Sequence, residues 1–545
     1  MKTWFARAAL LGLALGTAQP LVAQSAPVVR VDTGSLKGER IGALSVFKGV
    51  PYAAAPTGWR RWRPPAEMSA WKGVRDATAF GPVCYQPRAR AGSIYTEDYG
   101  AMSEDCLSLN VWVPANASKA PVLVWIHGGA LSGGASSETM YDGATLARQG
   151  LVVVSINYRL GVLGYMAHSE LSAESPRHVS GNYGLLDQIA ALRWVKRNIG
   201  AFGGDAGNVT IAGESAGALS VMYLMTSPDA RGLFAKAIAE SAYMISTPEL
   251  REKRHGEIPA EAIGGWLQTK LGAENLAGLR AMDPAQLTDQ AAKAGYAPFG
   301  TIDGSVLPAQ LVDVFDRGEQ AHVPILAGFN SGEIRSLRFL LPPPPATPAA
   351  YETAIRAAYR DLADDWLKRY PSSDIPESML ATTRDALYGW TAERLTASQS
   401  AAGQPSFLYY FDHGYPAADQ ASLRGFHASE IPYVFGTGDQ TPAAWPKLPD
   451  TPEDRRFSTA VTGYWAAFAR GGVPAVSGEP IWRPYSTGAY MHFADRPEPA
   501  TNLMPGMSQL HEQVVCRRRA EANTAWNWNT GIIAPPLPPK APGCR

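Results

Sequence analysis

The sequence predicts an α/β fold with a mostly parallel central sheet and helices on both faces. Two observations carry this. Between Pro121 and Glu240, short β-branched runs alternate with stretches of helical spacing, which is the pattern of βαβ units. The runs are also short and apolar, as buried strands are.

In chain order, residues 122–126, 152–156 and 209–212 read as buried strands, and residues 185–198 and 216–225 as helices. Further strands are expected at 323–327, before Glu333, and at 407–411, before His427. Between them, residues 349–369 have helical spacing behind the proline run 342–345, an insert that could form a subdomain or a lid. No internal repeat is present. The predicted division is a leader at 1–23, a catalytic domain at 24–533 with a helical insert at about 340–400, and a proline-rich tail at 534–545.

The leader has Lys2 and Arg7, then the apolar run 8–16, then Leu21-Val22-Ala23 before Gln24. The run is shorter than the roughly 20 residues a membrane helix needs, and the order is that of a secretory signal peptide. An exported chain, periplasmic or extracellular, is expected, with no membrane span after cleavage. Formal net charge is zero, which argues against a polyanion-binding surface and a nucleic-acid partner. Zinc-ligand spacing, a Walker loop and a dinucleotide fingerprint are all missing from the sequence, so no metal or organic cofactor is expected. The four cysteines suit disulfides in an exported protein. Their order favours Cys84–Cys106 and Cys516–Cys544, although three pairings are open. Oligomeric state is not legible.

Gly213-Glu214-Ser215-Ala216-Gly217 fits G-x-S-x-G, between an expected strand and an expected helix. That context is what a nucleophile elbow needs, and the helix N-terminus favours negative charge at the reaction centre. His127-Gly128-Gly129-Ala130 follows the strand at 122–126 and resembles a loop that offers backbone N–H groups to an oxyanion. Gly129, Ala130 and Ala216 are the expected donors, and losing one donor of this kind typically costs about 3 kcal/mol. A base must follow Ser215 in the order nucleophile, acid, histidine. His255, His322, His413, His427, His492 and His511 all satisfy that order.

Several longer motifs narrow the choice. They are Phe47-Lys48-Gly49-Val50-Pro51-Tyr52-Ala53, Arg61-Trp62-Arg63-Pro64-Pro65, Glu104-Asp105-Cys106-Leu107-Ser108-Leu109-Asn110-Val111, and Phe202-Gly203-Gly204-Asp205 with Asn208-Val209-Thr210. His427-Ala428-Ser429-Glu430-Ile431-Pro432-Tyr433-Val434-Phe435-Gly436 and the stretch from Trp465 to Pro474 complete the set. Together they resemble the type-B carboxylesterase family, which includes bacterial para-nitrobenzyl esterases and, more distantly, cholinesterases. The resemblance runs from about Phe47 to Pro484.

The resemblance implies the α/β-hydrolase fold and hydrolysis of small carboxylic esters through an acyl-enzyme. It assigns Ser215 as nucleophile, His427 as base and Glu333 as orienting acid, with Ile334 where the family usually has glycine. Asp303 and Asp316 are the fallback acids. His413 reads as a polar residue at a strand end and His127 as structural. The resemblance also implies a Cys84–Cys106 loop beside the active site and an Arg61–Glu104 salt bridge. Between those cysteines stand Tyr85, Tyr95 and Tyr99 but no tryptophan, so a choline ester is not expected. Leu131 stands where the family often has an aromatic residue, which would reshape the acyl pocket. The pattern Asn116-Ala117-Ser118 fits a glycosylation sequon but is discounted, because the leader looks bacterial. Three other readings remain open: a catalytically silent neuroligin-like binding protein, an acyltransferase or amidase using the same triad, and an interfacially activated lipase.

Overall fold

The computed structural model describes residues 25–88, 93–526 and 528–544, and the leader read at 1–23 lies outside them. Seven adjacent parallel strands form the centre of the main sheet. In spatial order they are Val152–Ile156, Ala120–Ile126, Gly204–Glu214, Lys236–Glu240, Ile325–Asn330, Ser406–Phe411 and Ala489–Phe493. Antiparallel strands extend both edges: Ser108–Val113, Leu44–Pro51 and Glu39–Ile41 on one side, Pro497–Thr501 on the other. The α/β-hydrolase arrangement expected from the sequence is therefore present.

Strand periodicity builds a core on each face. Along Ala120–Ile126, Val122, Val124 and Ile126 enter one cluster, while Leu123 and Trp125 enter the other. Helices Tyr183–Asn198 and Ala216–Thr226 cover the first face with residues such as Leu185, Ile189, Leu192, Leu219 and Met222. Helix Pro452–Gly471 covers the second with Phe457, Val461, Tyr464, Trp465 and Phe468. Chain order reverses at Ala120–Ile126, which has Val152–Ile156 on one side and Gly204–Glu214 on the other. In open α/β sheets, ligands bind outside the carboxyl ends of the strands at such a switch point.

Between Ile325–Asn330 and Ser406–Phe411 lie helices Pro348–Tyr359, Ala363–Arg369, Ile375–Arg384 and Trp390–Ala401, the last two joined by a π-helical turn at Asp385–Gly389. Tyr351, Ile355, Tyr359, Trp366 and Tyr370 form a separate core there with Leu510 and Val514 of helix Met507–Glu521. The strand read at 323–327 starts at Ile325 and continues to Asn330. Disulfides join Cys84 to Cys106 and Cys516 to Cys544, and closing loops of this length stabilises by about 3–4 kcal/mol each in the chain-entropy account. Among the described residues no helix is long and apolar enough to cross a membrane.

The buried pair Arg159–Asp187 ties helix Tyr183–Asn198 to the chain leaving Val152–Ile156, with both Asp187 oxygens accepting from the guanidinium at 2.7 Å. Asp187→Ala leaves a buried guanidinium without its counter-charge. It is expected to lower the unfolding free energy by about 3–5 kcal/mol in urea denaturation.

Candidate active site

The strand Gly204–Glu214 ends one residue before helix Ala216–Thr226 begins, and Ser215 takes the whole turn with φ 56° and ψ −121°. A left-handed φ costs a non-glycine residue roughly 1–2 kcal/mol, and the surrounding contacts hold it there. Ser215 N–H donates to the Glu240 carbonyl at 2.9 Å, and Leu219 N–H donates to the Ser215 carbonyl at 2.9 Å. The turn also needs a glycine at 217: a Cβ there would lie 2.0 Å from the Ile126 carbonyl oxygen.

That close approach brings the loop after Ala120–Ile126 onto the serine. A Cβ on Gly128 would stand 3.3 Å from Ser215 Cβ. Gly129, Ala130 and Leu131 all have positive φ, at 98°, 53° and 56°. The Gly129 carbonyl accepts from Ser132 and Gly133 N–H at 2.9 Å, and Gly161 N–H donates to Leu131 O at 2.8 Å. Among the described residues, the N–H groups of Gly129, Ala130 and Ala216 find no acceptor in a turn, loop or cap. Gly129 and Ala130 are exposed, whereas Leu131 is buried and anchors the loop. His127 is held within it: its ring stacks on Tyr158 at 4.5 Å, Nδ1 lies 2.9 Å from Gly128 O, and burial pushes its pKa down to about 4.

Glu333 lies just past Ile325–Asn330, and His427 lies past Ser406–Phe411 on a longer loop. The two loops pair one residue before each side chain. Gly332 N–H donates to Gly425 O at 2.7 Å, and Gly332 bridges Phe426 in parallel. A Cβ on Gly332 would meet Leu423 O at 2.4 Å, so only glycine fits this seam. The result is a contact of 2.5 Å between Glu333 Oε2 and His427 Nδ1, with Glu333 Oε1 accepting from Asn330 N–H at 2.8 Å. Ile334, the residue that departs from the family pattern, is buried against Phe329, Leu387 and Tyr388.

The other imidazole nitrogen, His427 Nε2, sits 3.1 Å from Glu214 Oε1. With Nδ1–H directed at Glu333, a bare Nε2 lone pair facing a carboxylate would be repulsive. The pairing therefore favours the protonated, cationic imidazole. The titration directions agree. Burial pushes Glu214 well up against the opposing pull of His427, while His427, which burial alone would lower, is raised to about 9 by Glu214 and then Glu333. Two more buried carboxyls stand nearby. Glu240 accepts from Trp465 Nε1 at 2.9 Å and is pushed well up by burial. Glu430, bonded to Asn330 Nδ2, is pushed up to about 7, again chiefly by burial. No role for Glu214, Glu240, Glu430 or Asn330 is legible in the sequence. Glu214 and Glu430 lie inside the quoted motifs, but nothing in a motif shows where a side chain points.

The alternative residues lie elsewhere. Asp303 Oδ1 accepts from the N–H groups of Ser305, Val306 and Leu307, and Asp316 pairs with Arg394 and Arg519. His413 stacks on Phe457 at 4.1 Å. His322 contacts Gly318 O, His492 faces Asp412, His511 bonds Tyr370, and His255 packs on Trp526. Arg61 and Glu104 form a bidentate pair at 2.7 and 2.8 Å.

A fold of this kind, with a serine elbow beside a glycine loop and a buried carboxyl–imidazole pair, is that of an α/β hydrolase. The carboxylesterase family model matches residues 25–509, and the chain belongs to that family. It is a carboxylic ester hydrolase. It is 37% identical over 487 residues to fumonisin B1 esterase of Sphingopyxis macrogoltabida, covering 86% of each chain. It is 35% identical over 459 residues to para-nitrobenzyl esterase of Bacillus subtilis (strain 168), covering 82% of this chain and 90% of the other. A solved PNB esterase structure superposes with TM-score 0.78 at 32% identity, over 89% of this chain and 99% of its own.

If His427 acts as the base it must be neutral, so kcat/KM is expected to rise with pH with its midpoint near pH 9 and to level off about one unit above it. Glu214→Gln removes the negative partner that favours imidazolium. The rising limb should then move to lower pH by about 1 unit, as read from pH–rate profiles of the two proteins.

Proposed function

We propose that this carboxylesterase works through a Ser215–His427–Glu333 triad and an acyl-enzyme. The observation that carries the reading is the 2.5 Å contact of Glu333 with His427 Nδ1. It supports a reading in which Nδ1 is held by the acid and Nε2 is the nitrogen that exchanges a proton with Ser215. In the reaction, His427 Nε2 takes the hydroxyl proton as Ser215 Oγ attacks the ester carbonyl, and Glu333 stabilises the imidazolium. Gly129, Ala130 and Ala216 N–H groups receive the oxyanion. The alcohol leaves with the proton from Nε2, and water then attacks the acyl-enzyme by the same route. Hydrolysis rather than acyl transfer or amide cleavage is the favoured outcome, in line with the esterases it resembles.

The leader at 1–23 is proposed to direct export and to be removed, and two disulfides support an oxidising compartment. The remainder is proposed to act as one catalytic domain, residues 24–533, ending in the tail 534–545. Fumonisin B1 and a para-nitrobenzyl ester are the first two substrates to try, taken from the relatives' names.

The test is release of p-nitrophenol from a short-chain p-nitrophenyl ester by purified protein beside Ser215→Ala. Wild type is expected to turn over, and the variant, still folded, to lose about 10⁴-fold or more in kcat. Comparable rates in both would remove Ser215 from the mechanism.

A further inference from the structure

We propose that Tyr95, from the Cys84–Cys106 loop, is a positioning residue for the catalytic histidine, holding the His427 carbonyl and the end of the Glu333 turn in one hydrogen-bonded relay. This rests on the triad reading above. Tyr95 Oη lies 2.9 Å from His427 O and 2.8 Å from Ser336 Oγ. A carbonyl can only accept, and a phenol has one proton to give. The Tyr95 proton therefore goes to His427 O, and the Ser336 hydroxyl donates to the Tyr95 oxygen. Ser336 is the residue that ends the turn Glu333–Arg335. One phenol oxygen thus joins the loop that carries the acid to the residue that acts as base.

Three further observations give the contact a purpose. The peptide it binds links His427 to Ala428, and Ala428 has φ 65°. A left-handed alanine persists only where its surroundings hold it, and the orientation of this peptide bears directly on that of the imidazole before it. The Tyr95 ring also packs edge-on against Trp445 at 5.8 Å, and Trp445 packs on Phe426, the residue before His427, at 4.9 Å. The same phenol is thus held by its ring and by its oxygen to the same short segment. Finally, the loop that carries Tyr95 is closed by the Cys84–Cys106 bridge and tied to the oxyanion loop by Gln86, whose amide both accepts from Gly134 N–H at 2.9 Å and donates to Gly134 O at 3.0 Å.

The relay acts on the base and not on the substrate, so its loss should appear in turnover and be blind to the leaving alcohol. Tyr95→Phe keeps the ring on Trp445 and removes both hydrogen bonds. Its kcat is expected to fall about five- to tenfold on p-nitrophenyl acetate and on ethyl acetate alike. KM should stay within about twofold and the unfolding midpoint should hardly move. Ser336→Ala, which leaves the Tyr95 proton on His427 O, should lose less, and the double variant should be no worse than Tyr95→Phe alone. Unchanged kcat, a loss confined to KM, a loss that differs severalfold between the two alcohols, or additive single losses would each overturn the proposal. The rate at which diethyl p-nitrophenyl phosphate labels Ser215, followed by mass spectrometry, separates this from failure of the triad reading. Slower but complete labelling of Tyr95→Phe supports the relay. A wild type that is not labelled at Ser215 brings down the triad reading, and the relay with it.

Discussion

The site depends on a backbone contact with no room in it. A helix that starts one residue after its strand ends must press its first turn against the neighbouring strand, and here Gly217 lies on the Ile126 carbonyl. Ser215, between strand and helix, takes a left-handed φ. The contact also leaves no space between the elbow and the loop that follows Ile126, so Gly128 rests against Ser215. Ser215 and the glycine loop, the proposed nucleophile and oxyanion donors, are therefore placed by one steric constraint instead of by two separate sets of side-chain contacts. Such preorganisation lets fixed N–H dipoles act on developing charge with little rearrangement.

Electrostatics impose the second constraint. Glu214 and Glu240 are register partners at the ends of adjacent parallel strands, Glu333 and Glu430 arrive from the next loops, and all four are buried, with Glu214, Glu333 and Glu430 acting on the His427 imidazole. Several carboxylates cannot all stay ionised in so little water. Burial pushes Glu214, Glu240 and Glu430 toward their protonated forms, which limits the negative charge that collects in this cluster. Trp465 and Asn330 supply donors to the same pair. The cluster thus sets the proton affinity of His427, the proposed base, and the aromatic core on the second sheet face reaches the cluster through Trp465.

Much of this was legible in the chain. The strands at 122–126 and 152–156 and the helices beginning near residues 185 and 216 follow from β-branched runs and helical spacing, because buried parallel strands leave an unmixed apolar signal. The G-x-S-x-G and HGGA segments located the elbow and its loop for the same steric reasons that the structure displays. Other parts left no such signal. Lys236–Glu240 begins and ends on charged residues, both buried. Helix Met507–Glu521 buries Arg517 and Arg518, one paired with Asp361 and the other donating to the carbonyls of Trp526 and Asn529. An apolar stripe made partly of arginine does not look like a stripe. The Gly332–Gly425 seam joins residues ninety-odd positions apart and depends on a missing Cβ, which periodicity does not encode.

The segment between Cys84 and Cys106 is joined to more than one part of the proposed site. Its base is fixed by the disulfide and by the Arg61–Glu104 pair, the guanidinium of which also donates to Met282 O at 2.8 Å. Its start is bonded to the oxyanion loop through Gln86, and Tyr95 reaches the histidine segment. Tyr99 adds a contact to Glu138, whose carboxylate also accepts from Ala135 N–H at 2.9 Å. A loop free to vary with substrate would ordinarily be loosely attached to its scaffold. This one is bound at several points to the segments that carry the proposed base and oxyanion donors, so a change in its length or residues is transmitted to His427 and to the glycine loop.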